Sequence, residues 1–306
     1  MTALAPAPAE RRPAAISRIV ALMDNFSIEA TRPSTADIAA LAGLKPGTRV
    51  YVSAVPNRPA EESIAAAARL RAAGFEPVPH IAVRNFASLP ALDDFLARLN
   101  GEADIRCVLV IAGDRAACGT LRGAIDAIDS GVLHRRGIRT IGIAGYPDGH
   151  PRIAGEELDR ALAAKIAAAQ RSELNVEIVT QFCFDVRAIL KFVARLRALG
   201  FDQGLRIGLA GPTSLAALLR YASRCGVRAS ARALAQHTGL VRQMFAMTTP
   251  DDLVRALAEA APAGVCLHFF SFGGLPASAR WARAVAAGRI ALETDGRFRL
   301  EAPAVG

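Results

Sequence analysis

Aromatic side chains make up only 6% of this 306-residue chain, with one tryptophan and three tyrosines. That is poor material for stacking nucleic-acid bases. The arginines behind the net charge of +9 are spread along the chain instead of gathered in one run. Nucleic-acid binding is therefore not expected; a basic surface of this kind suits the capture of a small polyanion. Cysteine is scarce too. Cys107, Cys118, Cys183, Cys225 and Cys266 are dispersed, odd in number and without CxxC spacing. This excludes the usual signatures of a disulfide framework or a zinc site, and most of the five read as small core residues in a reducing compartment. No metal centre is expected. No apolar run approaches the roughly 20 residues of a membrane span. The opening "MTALAPAPAERRPAA" has no apolar core like that of a signal peptide. The expectation is a cytoplasmic protein with no membrane partner. No GxGxxG follows the first strand, so a dinucleotide-binding Rossmann domain lacks its main signature.

What the chain does have is hydrophobic residues in quantity, 52% of the total, arranged in eight short runs. These are "NFSIEA" (25–30), "RVYVSA" (49–54), "EPVPHIA" (76–82), "IRCVLVIAG" (105–113), "IRTIGIAG" (138–145), "NVEIVTQFC" (175–183), "LRIGLAG" (205–211) and "GVCLHFFS" (264–271). Most are nearly continuous apolar stretches, as strands buried on both faces should be. Between them lie segments of helical spacing. "PAEESIAAAARLRAAGF" places Ile64, Ala67, Leu70 and Ala73 on one face and closes on glycine. "DVRAILKFVARLRALGF" repeats the pattern, and "TSLAALLRYASRCGV" opens on a Thr/Ser cap signal. Eight β-then-α units in one uninterrupted chain predict an α/β fold, a (β/α)8 TIM barrel. Residues 1–15 read as a flexible lead-in and residues 16–306 as a single barrel domain. The long segment between strands 7 and 8 is expected to hold extra helices.

In such a barrel the chemistry sits at the C-terminal ends of the strands. Those ends carry Glu29, Ser53, His80, Asp114, Tyr146 with His150, Gln181, Thr213 and Phe270 with Ser271. Each has a plainer reading. Glu29 could be a solvated loop carboxylate, but a charge inside a strand is costly unless it is paired or working. Asp114 could cap the next helix. His80 could be a hydrogen-bonded core histidine, and position alone favours that slightly. Gln181 sits mid-run, where a buried amide needs partners and a ligand would serve. Asp185 reads as a helix N-cap, His268 as facing the barrel wall, and Trp281 as packing. His134 and His237 are assigned no role.

Taken in order, "FSIEATRP", "VPHIA", the "GD" after strand 4, "AGYPDGHP", "TQFCFD" and "HFFSFGG" resemble the methylenetetrahydrofolate reductase family over roughly residues 25–285. The resemblance implies a flavin-dependent barrel of one-carbon metabolism and methionine biosynthesis. Such a barrel interconverts 5,10-methylenetetrahydrofolate and 5-methyltetrahydrofolate, with FAD as cofactor and NADH or NADPH as electron donor. It implies that Glu29 is the general acid that protonates N10 and opens the ring. A carboxyl in an apolar mouth can have a raised pKa, which suits that task. It also implies that Asp114 tunes the flavin and helps bind folate. Gln181 would hydrogen-bond the pterin, with Phe270 beside it in the substrate site. FAD would be held by His80, Ile111, Ala112, Gly113, Asp114, Ala144, Tyr146, His150 and Lys165. The folate is the expected small-molecule partner, and a homo-oligomer is compatible with the reading.

The sequence also departs from the family pattern. Val55 and Pro56 stand where a Thr-Tyr pair is common. Leu158 and Ala161 replace polar residues ahead of the phosphate-binding basic pair, and a glutamine is missing near Leu218. Gly274 replaces the arginine expected to engage the folate tail, with Arg280 or Arg283 as nearby substitutes. These changes open two alternatives. One is a folate-binding barrel without tightly bound FAD that uses another electron carrier; the other is a non-catalytic folate-binding subunit. They also leave room for flow in the oxidative direction.

Overall fold

The computed structural model describes residues 8–55, 58–225, 247–295 and 297–301. Eight parallel strands close into a ring: β1 (Ser27–Ala30), β2 (Arg49–Val52), β3 (Glu76–Ala82), β4 (Cys107–Ile111), β5 (Thr140–Gly145), β6 (Asn175–Thr180), β7 (Leu205–Ala210) and β10 (Val265–Phe270). Each of the eight apolar runs holds one of them. They follow chain order around the ring, and β10 closes against β1. A two-residue antiparallel ladder, β8 (Thr213–Ser214) with β9 (Met247–Thr248), stands between β7 and β10. The (β/α)8 barrel read from the sequence is the fold observed.

The helices between the strands are α1 (Pro8–Leu22), α2 (Thr35–Ala39), α3 (Ala60–Ala72), α4 (Leu89–Ala103), α5 (Ala124–Asp129), α6 (Val132–Arg135), α7 (Gly155–Arg171), α8 (Val186–Ala198), α9 (Leu215–Cys225), α10 (Asp251–Ala260) and α11 (Leu275–Ala286). Both α9 and α10 fall between β7 and β10, where extra helices were expected. Pro56 and His237 lie outside the described residues. A hairpin of β11 (Ile290–Leu292) and β12 (Phe298–Leu300) follows α11. No helix among the described residues is long and apolar enough to cross a membrane.

Local sequence explains the helices. In α3, Ile64, Ala67 and Leu70 are buried one above another, Glu61 and Glu62 stand in the first turn and Arg69 and Arg71 in the last. Those charges complement the helix dipole. Gly74 then ends the segment at φ +84°, a conformation glycine adopts without strain. Asp185 caps α8 by accepting from the amides of Arg187 and Ala188, as the sequence predicts. Trp281 is packing, as expected: it is buried against Phe269 and Phe298, and its indole donates to Asp251 at 3.0 Å.

Alternation along each strand separates two cores. Outward residues such as Ile28, Ile81, Ile143, Ile207 and Phe269 join the helices in one large apolar cluster. Inward residues Tyr51, Val78, Cys107, Leu109 and Val179 form a second cluster inside the ring. Of the cysteines, Cys107 and Cys183 are buried, Cys266 is half-buried and Cys118 is exposed. Gly208 on β7 is small of necessity: a Cβ there would sit 2.4 Å from the Thr180 carbonyl oxygen and 2.8 Å from the Phe270 ring.

Toward the N-terminal ends of the strands the interior is charged. Glu177 of β6 bridges Arg49 of β2 and Arg206 of β7, whose Nε donates at 3.2 Å. Arg206 also donates to the Asn25 carbonyl at 2.8 Å. Burial alone would raise the Glu177 carboxyl, but the two guanidiniums bring it below its ordinary value. Its contribution to stability is therefore complete above the ordinary glutamate range and is lost as pH falls through the lowered folded value. Removing the charge leaves two largely buried arginines uncompensated. Glu177→Gln is expected to cost about 3–5 kcal/mol, read as a lower denaturation midpoint in urea. A midpoint within error of the unmodified protein would show that the bridge contributes nothing.

Candidate active site

The closed ring brings the strand ends to one mouth, and Glu29 is the carboxylate buried there. Parallel pairing sets Ser27 of β1 opposite His268 of β10, and Glu29 opposite Tyr51 of β2. Alternate residues share a face, so Ser27, Glu29, Tyr51, Ser53, His80 and His268 meet inside the barrel. Glu29 Oε1 accepts from the Ser53 hydroxyl at 2.7 Å. Its Oε2 lies 3.4 Å from His268 Nε2 and 3.7 Å from His80 Nε2. His268 Nδ1 in turn lies 2.9 Å from the Ser27 hydroxyl. The Tyr51 ring packs edge-on against both imidazoles, with centroids 4.6 Å from His268 and 6.1 Å from His80.

The electrostatics differ from the sequence expectation. Burial does push the Glu29 carboxyl upward, but His80, His268 and Ser53 outweigh it and the group sits below its ordinary value. Burial lowers both imidazoles, more than the neighbouring carboxylate raises them. The raised carboxyl predicted for an apolar mouth is thus overturned: this mouth is apolar at the walls and rich in donors at the carboxylate. His268 is also corrected. It is fully buried, but it faces Glu29 and not merely the wall.

Asp114 is exposed on the loop after β4 and caps no helix; α5 begins at Ala124 behind Gly123. Its charge is felt by His150. The loop is shaped by Gly113 at φ +91° and by Arg84, whose backbone amide donates to the Ala112 carbonyl at 2.9 Å and whose side chain donates to the Arg122 carbonyl at 2.7 Å. Ile111 and Ala144 are half-buried at the ends of β4 and β5. Tyr146 packs edge-on against His150, centroids 5.3 Å apart. Gln181 is half-buried just past β6, and its side-chain oxygen accepts from the Phe182 amide at 3.1 Å. Phe270 ends β10 and packs against His268 and, with Phe182 and Phe272, in an aromatic group at the rim. Lys165 on α7 is half-buried, burial lowers its ammonium, and it has no polar partner among the described residues. Glu29 and His80 are in direct reach of each other; Asp114 and Gln181 share their mouth but no hydrogen bond or ion pair joins them to Glu29 among the described residues.

A cavity of about 410 Å³ lies between the ends of β2 and β3 and helices α3 and α4, reaching Ser53 and His80 but not lined by Glu29 itself. Ser53 and His80 line it together with Val55, Ala82 and Phe86. Arg32 and Arg98 at its rim pair with Glu62 and Glu61. Arg283 is remote from this mouth: it sits in the last turn of α11 and donates to the Ala42 carbonyl at 2.7 Å. Arg280 is exposed. Ser27, Tyr51 and His268 were missed as site residues. The available signal was period two: each lies two residues before a recognised strand-end group, Glu29, Ser53 or Phe270, and so shares its face.

Fold and site together define a (β/α)8 barrel with a carboxylate–imidazole cluster at its C-terminal mouth. This chain is similar to the 5,10-methylenetetrahydrofolate reductase of Pectobacterium carotovorum subsp. carotovorum, at 28% identity over 193 residues. The match takes in 61% of this chain and 62% of that protein, so this chain spans less than two thirds of the relative's length. The family likeness read from the strand ends is borne out as a divergent one. No protein-family model matches the chain. Among solved structures it is similar to dihydropteroate synthase from Thermus thermophilus, with 14% identity, 86% of this chain and 94% of that chain covered, and a TM-score of 0.45. It is also similar to an oxaloacetate acetylhydrolase, with 10% identity, 89% and 84% covered, and a TM-score of 0.46. Neither structural likeness bears on function.

Because the two histidines hold Glu29 low, removing either should let burial prevail. In His80→Ala and in His268→Leu the Glu29 carboxyl carbon, followed by carbon-13 NMR, is expected to titrate at higher pH than in the unmodified protein. An unmoved titration in both would show that the imidazoles do not act on it.

Proposed function

We propose that this barrel is an oxidoreductase that interconverts 5,10-methylenetetrahydrofolate and 5-methyltetrahydrofolate with FAD and a reduced nicotinamide, NADH or NADPH, in the cytoplasm. The observation that carries the reading is Glu29: a buried carboxylate with a hydroxyl on one oxygen and two imidazoles at the other, at the mouth of a barrel whose relative bears that enzyme's name. Opening the methylene bridge requires a proton at N10, and Glu29, ionised in the empty barrel, is the group placed to take one up and deliver it. Asp114, exposed on the loop after β4, offers a second carboxylate for a polar ring system. Phe270, the register partner of Glu29 on the neighbouring strand, offers an aromatic face, and Gln181 after β6 offers an amide.

The residues present fit the flavin. Lys165 is a half-buried cation with no polar partner among the described residues, as a phosphate-binding lysine should be before its ligand arrives. Among the described residues His80 Nε2 is buried without a hydrogen-bond partner, with Glu29 Oε2 3.7 Å away. Gly113 turns the chain after β4 at φ +91°, where a Cβ would press on the Ala82 side chain at 3.1 Å, so the loop beside the mouth keeps this course only with glycine. Bound there, FAD would supply the hydride carrier; the chain itself supplies orientation, exclusion of water and the proton on Glu29. A barrel that keeps the folate chemistry but holds flavin weakly is the second reading. It is favoured by Leu158 and Ala161, which add no polar group to α7 ahead of Lys165.

The absorbance spectrum of the purified protein tests the cofactor. Flavin bands that bleach under NADH or NADPH without oxygen are expected; failure to bind added FAD would remove the leading reading in favour of the second. Glu29→Gln is expected to slow the folate half-reaction at least about a hundredfold while flavin reduction by the nicotinamide stays close to normal. Equal loss of both half-reactions would sink the acid role.

A further inference from the structure

Glu29 has two oxygens in different surroundings. Both imidazoles crowd Oε2, whereas the polar neighbour of Oε1 is the hydroxyl of Ser53 at 2.7 Å. Ser53 in turn lies 2.9 Å from the hydroxyl of Thr31, and either can be the donor in that contact. Thr31 is exposed, Ser53 is half-buried and the Glu29 side chain is 14% exposed. A line of two hydroxyls therefore joins solvent to one oxygen of the buried carboxylate. Its geometry is fixed by the fold: Thr31 follows β1 directly, Ser53 follows β2, and the Ser53 amide donates to the Ala30 carbonyl at 3.1 Å.

We propose that Thr31 and Ser53 form a proton relay that recharges Glu29 at Oε1. With Glu29 ionised, Thr31 donates to Ser53 and Ser53 donates to Oε1. A hydronium ion at the surface then gives a proton to Thr31 Oγ1 and leaves as water, the Thr31 hydrogen passes to Ser53 Oγ, and the Ser53 hydrogen passes to Oε1. Each hydroxyl ends with one hydrogen, and the carboxyl has gained one. Afterwards Oε1–H donates to Ser53 and Ser53 donates to Thr31. Rotation of both hydroxyls resets the line once Glu29 has given its proton away. His268 keeps the exchangeable hydrogen on Oε1. This holds in the tautomer in which the Ser27 hydroxyl donates to Nδ1 at 2.9 Å, in preference to the Leu267 carbonyl at 3.4 Å, so that Nε2–H faces Oε2. Thr31, Ser53 and His268 are thus positioning residues that act through Glu29. The relay matters most when a ligand fills the mouth and bulk water cannot reach the carboxyl directly.

This inference rests on the reading of Glu29 as the acid in a folate half-reaction, and the test separates the two. In the flavin-loaded protein, Thr31→Val and Ser53→Ala are expected to slow that half-reaction about tenfold and to change its solvent deuterium isotope effect. Thr31→Ser, which keeps the hydroxyl, should restore both. Flavin reduction by the nicotinamide should be unaffected. In the ligand-free protein at low pH, the infrared carbonyl band of protonated Glu29 should shift upward in Ser53→Ala as its hydrogen-bond acceptor is lost. If Glu29→Gln leaves the folate half-reaction intact, the functional reading fails. If Glu29→Gln abolishes it while Thr31→Val and Ser53→Ala keep the normal rate and isotope effect, the relay alone is overturned. Thermal unfolding midpoints of the variants close to that of the unmodified protein exclude misfolding; Thr31→Val, exposed on its loop, is the variant least open to that objection.

Discussion

A carboxylate inside a ring of apolar strands survives only where donors meet it, and the arrangement around Glu29 depends on strand register to supply them. Ser53 comes from the end of β2, His80 from β3 and His268 from β10, three strands far apart in sequence. Because side chains alternate faces along a strand, a slip of one residue in any of these pairings would turn the donor into the helix layer and leave the charge alone. The register is held by the outward residues: Ile28, Ile81 and Phe269 are packed beneath the helices, so the inward neighbours have no freedom to exchange places with them. Packing on one face thus sets the chemistry on the other.

The interior is graded along its axis. Its lower level is the Arg49–Glu177–Arg206 bridge, its middle level is apolar around Tyr51, Leu109 and Val179, and its upper level carries Glu29, Ser53 and His80. The middle level separates the two charged ones, although the charge of Arg206 still reaches His268 and helps to lower its imidazole. The Tyr51 ring in that level forms the wall against which both imidazoles rest. Gly208 serves the upper level by absence of a side chain, which leaves the Phe270 ring room to close over the imidazole of His268.

The barrel was legible because β-branched runs at regular spacing, separated by helical periods that stop on glycine, admit few other folds. The mouth was legible in part for the same reason: once the strand ends are located, Glu29 and His80 must face one opening. Electrostatic balance was not legible. Whether an inward carboxyl is raised or lowered depends on which side chains reach it across the ring, and His268 lies 239 residues away in sequence. Nor was the role of Asp114 as cap or rim residue decidable, because the loop between Ile111 and Ala124 carries no sequence mark of where the helix begins. Arg283 looked available from its closeness to Gly274 along the chain, yet the intervening turns of α11 carry it to the far end of the barrel.

The bridge of Arg49, Glu177 and Arg206 also acts as a stopper. With the lower opening of the barrel plugged by ion-paired side chains, hydration comes to Glu29 through the upper rim. A molecule settling on that rim would dry the carboxyl from the side on which it is wet, and the balance that holds Glu29 below its ordinary value would tilt toward the protonated form. On the acid role proposed for Glu29, occupancy itself would arm the carboxyl, and a vacant barrel would not waste its proton.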